Sequence, residues 1–129
     1  MADVQEYAGL FTITTGAAGA PTLRVMVMGA DDMAEGIGRL TQATHPPLNA
    51  PTAFHGVVHA LGLGKAEQIF ALHGQAIPPR PGATTVPDLL ITLDGIWGSK
   101  GVATYSVYDD TPHMKSFKNV PVKVEWFMK

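Results

Sequence analysis

Short apolar runs that end at glycine, proline or aspartate recur along the whole chain and restrict it to a fold built from β-strands. The clearest run is Val120–Phe127, where Val120, Val122, Val124 and Trp126 alternate with the residues between them. A period of two places successive side chains on opposite faces of a strand. The 14 glycines and 10 prolines supply the turns between the runs. The pattern therefore predicts an all-β protein.

Eight of these runs are predicted to be strands, and most of the connections between them are short. The predicted strands are Leu10–Thr15, Thr22–Met28, Ala34–Gln42, Ala53–Leu61, Ala66–Ile77, Leu89–Leu93, Val102–Tyr108 and Val120–Phe127. Short connections favour an antiparallel meander, and an eight-stranded meander hides its edges by closing into a barrel. We expect one domain, residues 1–129, that forms an antiparallel eight-stranded meander closed or nearly closed into a barrel. A two-sheet β-sandwich is the alternative.

Three other features carry expectations about local structure. Residues 1–8 should form a short helix or fray. Prolines stiffen the connections 45–51 and 78–87, which should be extended. Glycines inside the predicted strands would let the sheet bend or let another backbone approach closely. These glycines are Gly36, Gly38, Gly56 and Gly74.

The charge and hydropathy of the chain argue against nucleic-acid and membrane partners. Nine basic and eleven acidic residues give a net charge of −2 and form no basic stripe, so binding to phosphates is not expected. No apolar run approaches the ~18 residues of a membrane helix. The first residues, Met1–Glu6, lack the apolar core of a signal peptide. We expect a cytoplasmic protein, and export by a signal-less route stays open.

The composition also bears on assembly. The chain has no cysteine, which excludes disulfides, thiolate nucleophiles and Cys-based zinc sites. Charged residues make up only 16% of the chain, and a weakly charged surface makes self-association easier. We therefore expect a homo-oligomer.

Histidines are the first candidates for chemistry. His55 and His59 lie four residues apart, which on a strand is about 13 Å and too far for one shared ion. A hairpin turn near residues 62–65 would bring His73 close to His55 on the neighbouring strand. That pair with a carboxylate could form a metal or catalytic site, although histidines on a half-exposed strand face are the simpler interpretation. We assign no metal, no cofactor and no catalytic residue.

Other catalytic patterns have little support. None of the serines Ser99, Ser106 and Ser116 lies in a Gly-x-Ser-x-Gly elbow. Asp31–Asp32 and Asp109–Asp110 fall in predicted turns, where aspartate bonds to the nearby backbone. The glycine-rich segments lack the spacing of phosphate-binding loops.

Met26, Met28 and Trp97 are candidates for contact with a partner or a ligand. Met26 and Met28 share one face of the second predicted strand. If the opposite face fills the core, the methionines point outward and suggest a subunit interface; coverage by a loop or a terminus is the alternative. Trp97 lies in a glycine-rich turn, where its ring either contacts a partner or folds back over the end of the barrel.

Four short segments spread over most of the chain are informative as a set. They are Gly9–Phe11, Ala20–Leu23, Thr41–Leu48 and Asn119–Lys123. Together they resemble a bacterial family known only as domain of unknown function 1842. The resemblance implies a bacterial source and a single β-rich domain. It implies no activity, so no site residue is transferred from it.

Three functions are compatible with these features. We favour a non-enzymatic interaction or structural module that self-associates. One alternative is a β-barrel that binds a small apolar ligand in its mouth. The other is an unfamiliar enzyme that uses a site at His55 and His73.

Overall fold

The computed structural model describes residues 6–44, 47–61, 67–79, 81–108 and 114–129, which form eight β-strands and their connections. The strands are β1 (Glu6–Ile13), β2 (Thr22–Ala30), β3 (Met33–Gln42), β4 (Leu48–Leu61), β5 (Glu67–Ala76), β6 (Asp88–Leu93), β7 (Lys100–Val107) and β8 (Lys115–Met128). Each strand pairs antiparallel with the next, and β8 pairs antiparallel with β1, so the sheet closes into a barrel. The predicted all-β barrel is confirmed, and the sandwich alternative is wrong.

Three strands begin four or more residues earlier than predicted. β1 begins at Glu6, so residues 6–8 are neither helical nor frayed, whereas residues 1–5 lie outside the described residues. β4 begins at Leu48, which turns the end of the first proline-rich connection into strand. β8 begins at Lys115 because its first residues pair with the end of β7. In each case pairing with a neighbouring strand extends an element beyond its own local signal.

One of the predicted turns can be placed. Asp31 and Asp32 form the turn between β2 and β3, and Asp31 has a φ of 55°. Aspartate tolerates this left-handed conformation better than most residues. The predicted turns at 62–65 and at Asp109–Asp110 lie outside the described residues.

Alternate side chains of every strand fill the interior of the barrel. Leu23, Val25 and Val27 of β2 are fully buried, as expected from their alternation with Met26 and Met28. In β8, the valines at 120, 122 and 124 point inward in the same way. The space around which the strands close is therefore occupied by the protein's own side chains.

The strand glycines make this tight barrel possible. A Cβ atom added at Gly56 or Gly74 would lie 1.9 Å from the carbonyl oxygen of Ala71 or Val86, respectively. At Gly38, a Cβ would lie 2.9 Å from Val25 Cγ2. The expected role of these glycines in close approach is confirmed.

Aromatic rings close one end of the barrel. Trp97, in the turn between β6 and β7, lies with its ring centre 5.1 Å from that of Tyr7 and 5.1 Å from that of Trp126. Phe11 and Phe70 lie beneath them, with ring centres 5.2 Å apart. We call these five residues the aromatic plug. Edge-to-face contacts of this kind add about 0.5–1.5 kcal/mol per pair to the burial of the rings.

The second proline-rich connection closes the other end. Val86 is fully buried, and Thr85 exchanges two backbone hydrogen bonds of 2.9 Å with Tyr108. The backbone N–H of Gly74 donates to the carbonyl of Pro87 at 2.9 Å. The connection was expected to be extended, but only its end, residues 83–87, is extended; residues 81–82 form a turn in which Gly82 has a φ of 73°, and residue 80 lies outside the described residues. Its extended end packs onto the core. The described ranges contain no helix long and apolar enough to span a membrane.

Two buried tyrosines should respond in opposite ways to loss of the hydroxyl. The Tyr7 hydroxyl donates to the carbonyl of Met33 at 2.6 Å, whereas the Tyr105 hydroxyl has no hydrogen-bond partner within the described ranges. We expect Tyr7→Phe to lower the free energy of unfolding by about 0.5–1.5 kcal/mol. Tyr105→Phe should leave it unchanged or raise it, because it removes an unsatisfied buried polar group. Urea unfolding at pH 7 measures both effects.

The same pair of variants predicts how stability depends on alkaline pH. Burial raises the pKa of Tyr105 to about 12. Burial, together with the negative charge of Asp32, raises the pKa of Tyr7 to about 12. The unfolded chain releases these protons near pH 10, so the stability present below pH 10 is lost as the pH rises towards 12. Each Tyr→Phe variant should lose less stability than the wild type between pH 9 and 11; an equal loss would contradict the assignment.

Candidate interaction surface

The outer face of β1 to β4 carries a continuous apolar strip. The strand register places Leu10, Met26, Ile37 and Ala53 side by side on four adjacent strands. Met28 lies next to this row and is 48% exposed, and Ile37 is 65% exposed. We call these five residues the β1–β4 surface. A shallow cleft of about 360 Å³ lies along it between Met28, Ile37 and Ala53.

The structure places both predicted methionines on this surface. Met26 is half-buried and Met28 is exposed, and both point away from the core. Ile37, the most exposed large apolar residue of the strip, did not emerge from the sequence. Its neighbours Gly36 and Gly38 carry no side chain to show which face is inward. The sequence of β3 holds one indication. Ala34 and Leu40 lie on the same face of the strand as the two glycines, which leaves Ile37 on the opposite face.

Charged residues flank the β1–β4 surface along the strands. On β3, Glu35 and Arg39 point outward two residues before and two residues after Ile37. Arg39 lies directly opposite Arg24 of β2, and like charges in this position destabilise a sheet. No hydrogen bond or ion pair within the described part of the chain engages Glu35, Arg24 or Arg39. The surface therefore has an acidic side and a basic side, both unpartnered.

The two predicted histidines meet on the outer face of β4 and β5. His55 lies directly opposite His73, as the expected hairpin requires, and their ring centres are 6.0 Å apart. His73 Nδ1 lies 3.2 Å from Asp88 Oδ1 on β6. Glu35 on β3 is the partner of His55 on its other side. One row of titratable side chains thus crosses four adjacent strands.

The strand order keeps this row from forming a serine triad. Asp88 of β6 lies between His73 of β5 and Ser106 of β7, since the strands follow in that order around the barrel. Strands two apart are separated by about 10 Å, whereas a triad needs the histidine to bond directly to the serine. Ser106 Oγ is also buried, with no hydrogen-bond partner in the described ranges. His73 therefore lies too far from Ser106 to activate it.

Trp97 lies apart from both groups. Its ring belongs to the aromatic plug at the end of the barrel, and it packs against the core. Its backbone N–H donates to Gln68 Oε1 at 2.9 Å, and its φ is 56°. Of the two alternatives for this residue, the structure has the one in which the ring folds back over the barrel.

An apolar cleft lies on the opposite side of the barrel from the β1–β4 surface. Its volume is about 290 Å³, and its lining includes Leu72, His73, Leu90, Tyr105 and Ser106. This is at the lower limit of the roughly 300–1,000 Å³ typical of small-molecule sites. The cleft is open to solvent and lies on the outside of the barrel. The interior of the barrel is filled with side chains.

Comparison with known proteins gives a family and no activity. No curated protein sequence matches the chain. The family model described as Domain of unknown function (DUF1842) matches residues 6–112, which include β1 to β7 and the whole β1–β4 surface. The resemblance seen in the sequence is confirmed, and the chain belongs to the DUF1842 family.

Proposed function

We propose that this protein is a non-enzymatic interaction module that pairs with a second copy of itself through the β1–β4 surface. The observation that carries the proposal is Ile37, an isoleucine 65% exposed in the middle of an apolar row. A single exposed apolar residue is ordinary, but a contiguous apolar patch with a polar border is typical of an interaction site. The low charge content of the chain, 16%, supports the same function.

The charges around Ile37 favour a second copy as the partner. A two-fold axis along the apolar row, perpendicular to the strands, would place Ile37 of one copy against Ile37 of the other. Glu35 and Arg39 lie about 7 Å on either side of Ile37, so the same axis would set Arg39 of each copy against Glu35 of the other. Such a self-complementary patch is what a two-fold interface requires.

This pairing would also relieve the repulsion on the basic side. Arg24 and Arg39 lie opposite each other without an acidic neighbour among the described residues. In the proposed dimer Arg39 would face Glu35 of the other copy, and Arg24 would lie one strand away from that contact. Charge pairs across an interface fix its register and orientation more than they add affinity, so the apolar row would supply the binding energy.

A stable dimer sets the area that the two copies must bury. The barrel exposes 7700 Å², and a standard interface takes about 10% of the surface of a small protein, near 800 Å² from each partner. An interface of that size centred on Ile37 would include residues around the β1–β4 surface. Its centre is apolar and its border charged, as in other interfaces.

Substitution of Ile37 tests the proposal. Ile37→Glu places two carboxylates against each other at the two-fold axis, and we expect the dissociation constant to rise at least about 100-fold. Leu90→Glu is the matched control, because Leu90 is an outward residue of β6, 47% exposed and outside the β1–β4 surface. Sedimentation equilibrium from low to high micromolar concentration measures both variants. A wild type that stays monomeric at high micromolar concentration, or an Ile37→Glu variant that associates like Leu90→Glu, contradicts the proposal.

A further inference from the structure

We propose that His55 and His73 bind one divalent transition-metal ion on the outer face of β4 and β5. The two residues are direct cross-strand partners, and their ring centres are 6.0 Å apart. Imidazole is a preferred ligand of Zn²⁺, Cu²⁺ and Ni²⁺. The chain uses this pair in none of the packing that closes the barrel.

The separation of the rings suits a shared ion. Zinc binds imidazole nitrogen at about 2.0–2.1 Å, and two imidazoles on one ion place their ring centres roughly 5–6 Å apart. The observed 6.0 Å is at the wide end of this range. His55 is exposed, so its ring can rotate about its side-chain bonds to face a shared ion. Both strands are fixed in the barrel by pairing on each side, so the backbone need not move.

Asp88 orients the ring of His73, one of the two proposed ligands. A carboxylate oxygen only accepts hydrogen bonds, so Nδ1 of His73 is the donor in its 3.2 Å contact with Asp88 Oδ1, and a ring that carries a single proton holds it there. The lone pair of Nε2 is then free to bind a metal. A carboxylate that orients a metal-binding histidine in this way is a regular feature of zinc sites.

The site is open, and its ion should be exchangeable. His73 and Asp88 expose 71% and 67% of their side chains. Within the described ranges no group of three or more His, Asp or Glu side chains lies close enough to hold an ion. Two imidazoles therefore supply the protein ligands, and water fills the other positions. This arrangement resembles an open zinc site more than a closed structural one.

Zinc titration of the tag-free protein tests the inference, with His59 as the matched control. His59 is an outward residue of β4 like His55, but its cross-strand partner is Ile69. By isothermal titration calorimetry with ZnCl₂, we expect one strong site per chain. His55→Ala and His73→Ala should each weaken it at least 10-fold, Asp88→Asn about 10-fold, and His59→Ala less than 2-fold.

The far-ultraviolet circular dichroism of each variant shows whether the barrel is intact, and exposed positions such as these should tolerate alanine. Imidazole nitrogen shifts in NMR spectra give a second measurement that does not depend on affinity alone. If zinc moves the His55 and His73 signals and leaves His59 unmoved, the inference stands. If His55→Ala binds zinc as tightly as His59→Ala does, or if zinc moves neither His55 nor His73, it is overturned.

Discussion

Phe70→Ala is expected to lower the free energy of unfolding by about 3–5 kcal/mol, the usual cost of removing a buried phenylalanine ring. Phe70 is fully buried, and its ring lies 5.2 Å from that of Phe11 and 6.1 Å from that of Tyr7. Truncation removes the apolar surface of the ring and leaves a cavity within the aromatic plug. The neighbouring strands are held by their hydrogen bonds, so they cannot collapse far into that space.

Phe127→Ala is the control for this prediction. Phe127 loses the same atoms, but its side chain is 57% exposed on the outer side of β8. We expect its effect to stay within about 0.5 kcal/mol. Urea unfolding at pH 7 with equal m-values gives both numbers. A loss of less than 1 kcal/mol for Phe70→Ala would contradict the packing of the plug.

The barrel itself could be predicted because its signals are local. Alternation in β2 and β8 sets the inward face, and the turn residues separate one strand from the next. The pairing of His55 with His73 followed from the same logic, since the register of a hairpin is fixed by its turn and by its apolar face. Strands that follow one another in the sequence are therefore paired in the sheet.

The early start of β1 could not be predicted from such local signals. Residues 6–8 become strand because they pair with the end of β2, residues 28–30, and Ala8 also pairs with Met128 of β8 at the other end of the chain. The polar sequence near Glu6 carries no sign of these partners. Only the register of the neighbouring strands supplies them.

The sequence did not identify Ile37 as the centre of the β1–β4 surface, because the direction of its side chain depends on how the neighbouring strands pack. Ile37 lies between two glycines, and a lone isoleucine there is as compatible with the core as with the surface. Phe54 and Val25 fill the interior beside Gly38, where any added Cβ would lie 2.9–3.0 Å from their side chains. Large residues on neighbouring strands thus assign the glycines to the inside and Ile37 to the outside. The positions of Ala34 and Leu40 in β3 point the same way, but the assignment is established only by the register of three strands.

Charge reversal at the edges of the β1–β4 surface tests the two-fold dimer most directly. Glu35→Arg alone would set arginine against arginine at both contacts, and Arg39→Glu alone would set glutamate against glutamate. Like charges brought together at an interface cost several kcal/mol, so each variant should be monomeric by native mass spectrometry at a concentration where the wild type is dimeric.

Mixing the two variants should restore the dimer. In a pair of one Glu35→Arg chain and one Arg39→Glu chain, both contacts again join an arginine to a glutamate. Addition of ~0.5 M salt should weaken this mixed dimer more than it weakens the apolar contact at Ile37, because screening acts on exposed charges. Native mass spectrometry of the equimolar mixture is the decisive measurement. We predict that the mixed dimer is the main species. A mixture that remains monomeric, or single variants that dimerise like the wild type, would contradict the two-fold dimer.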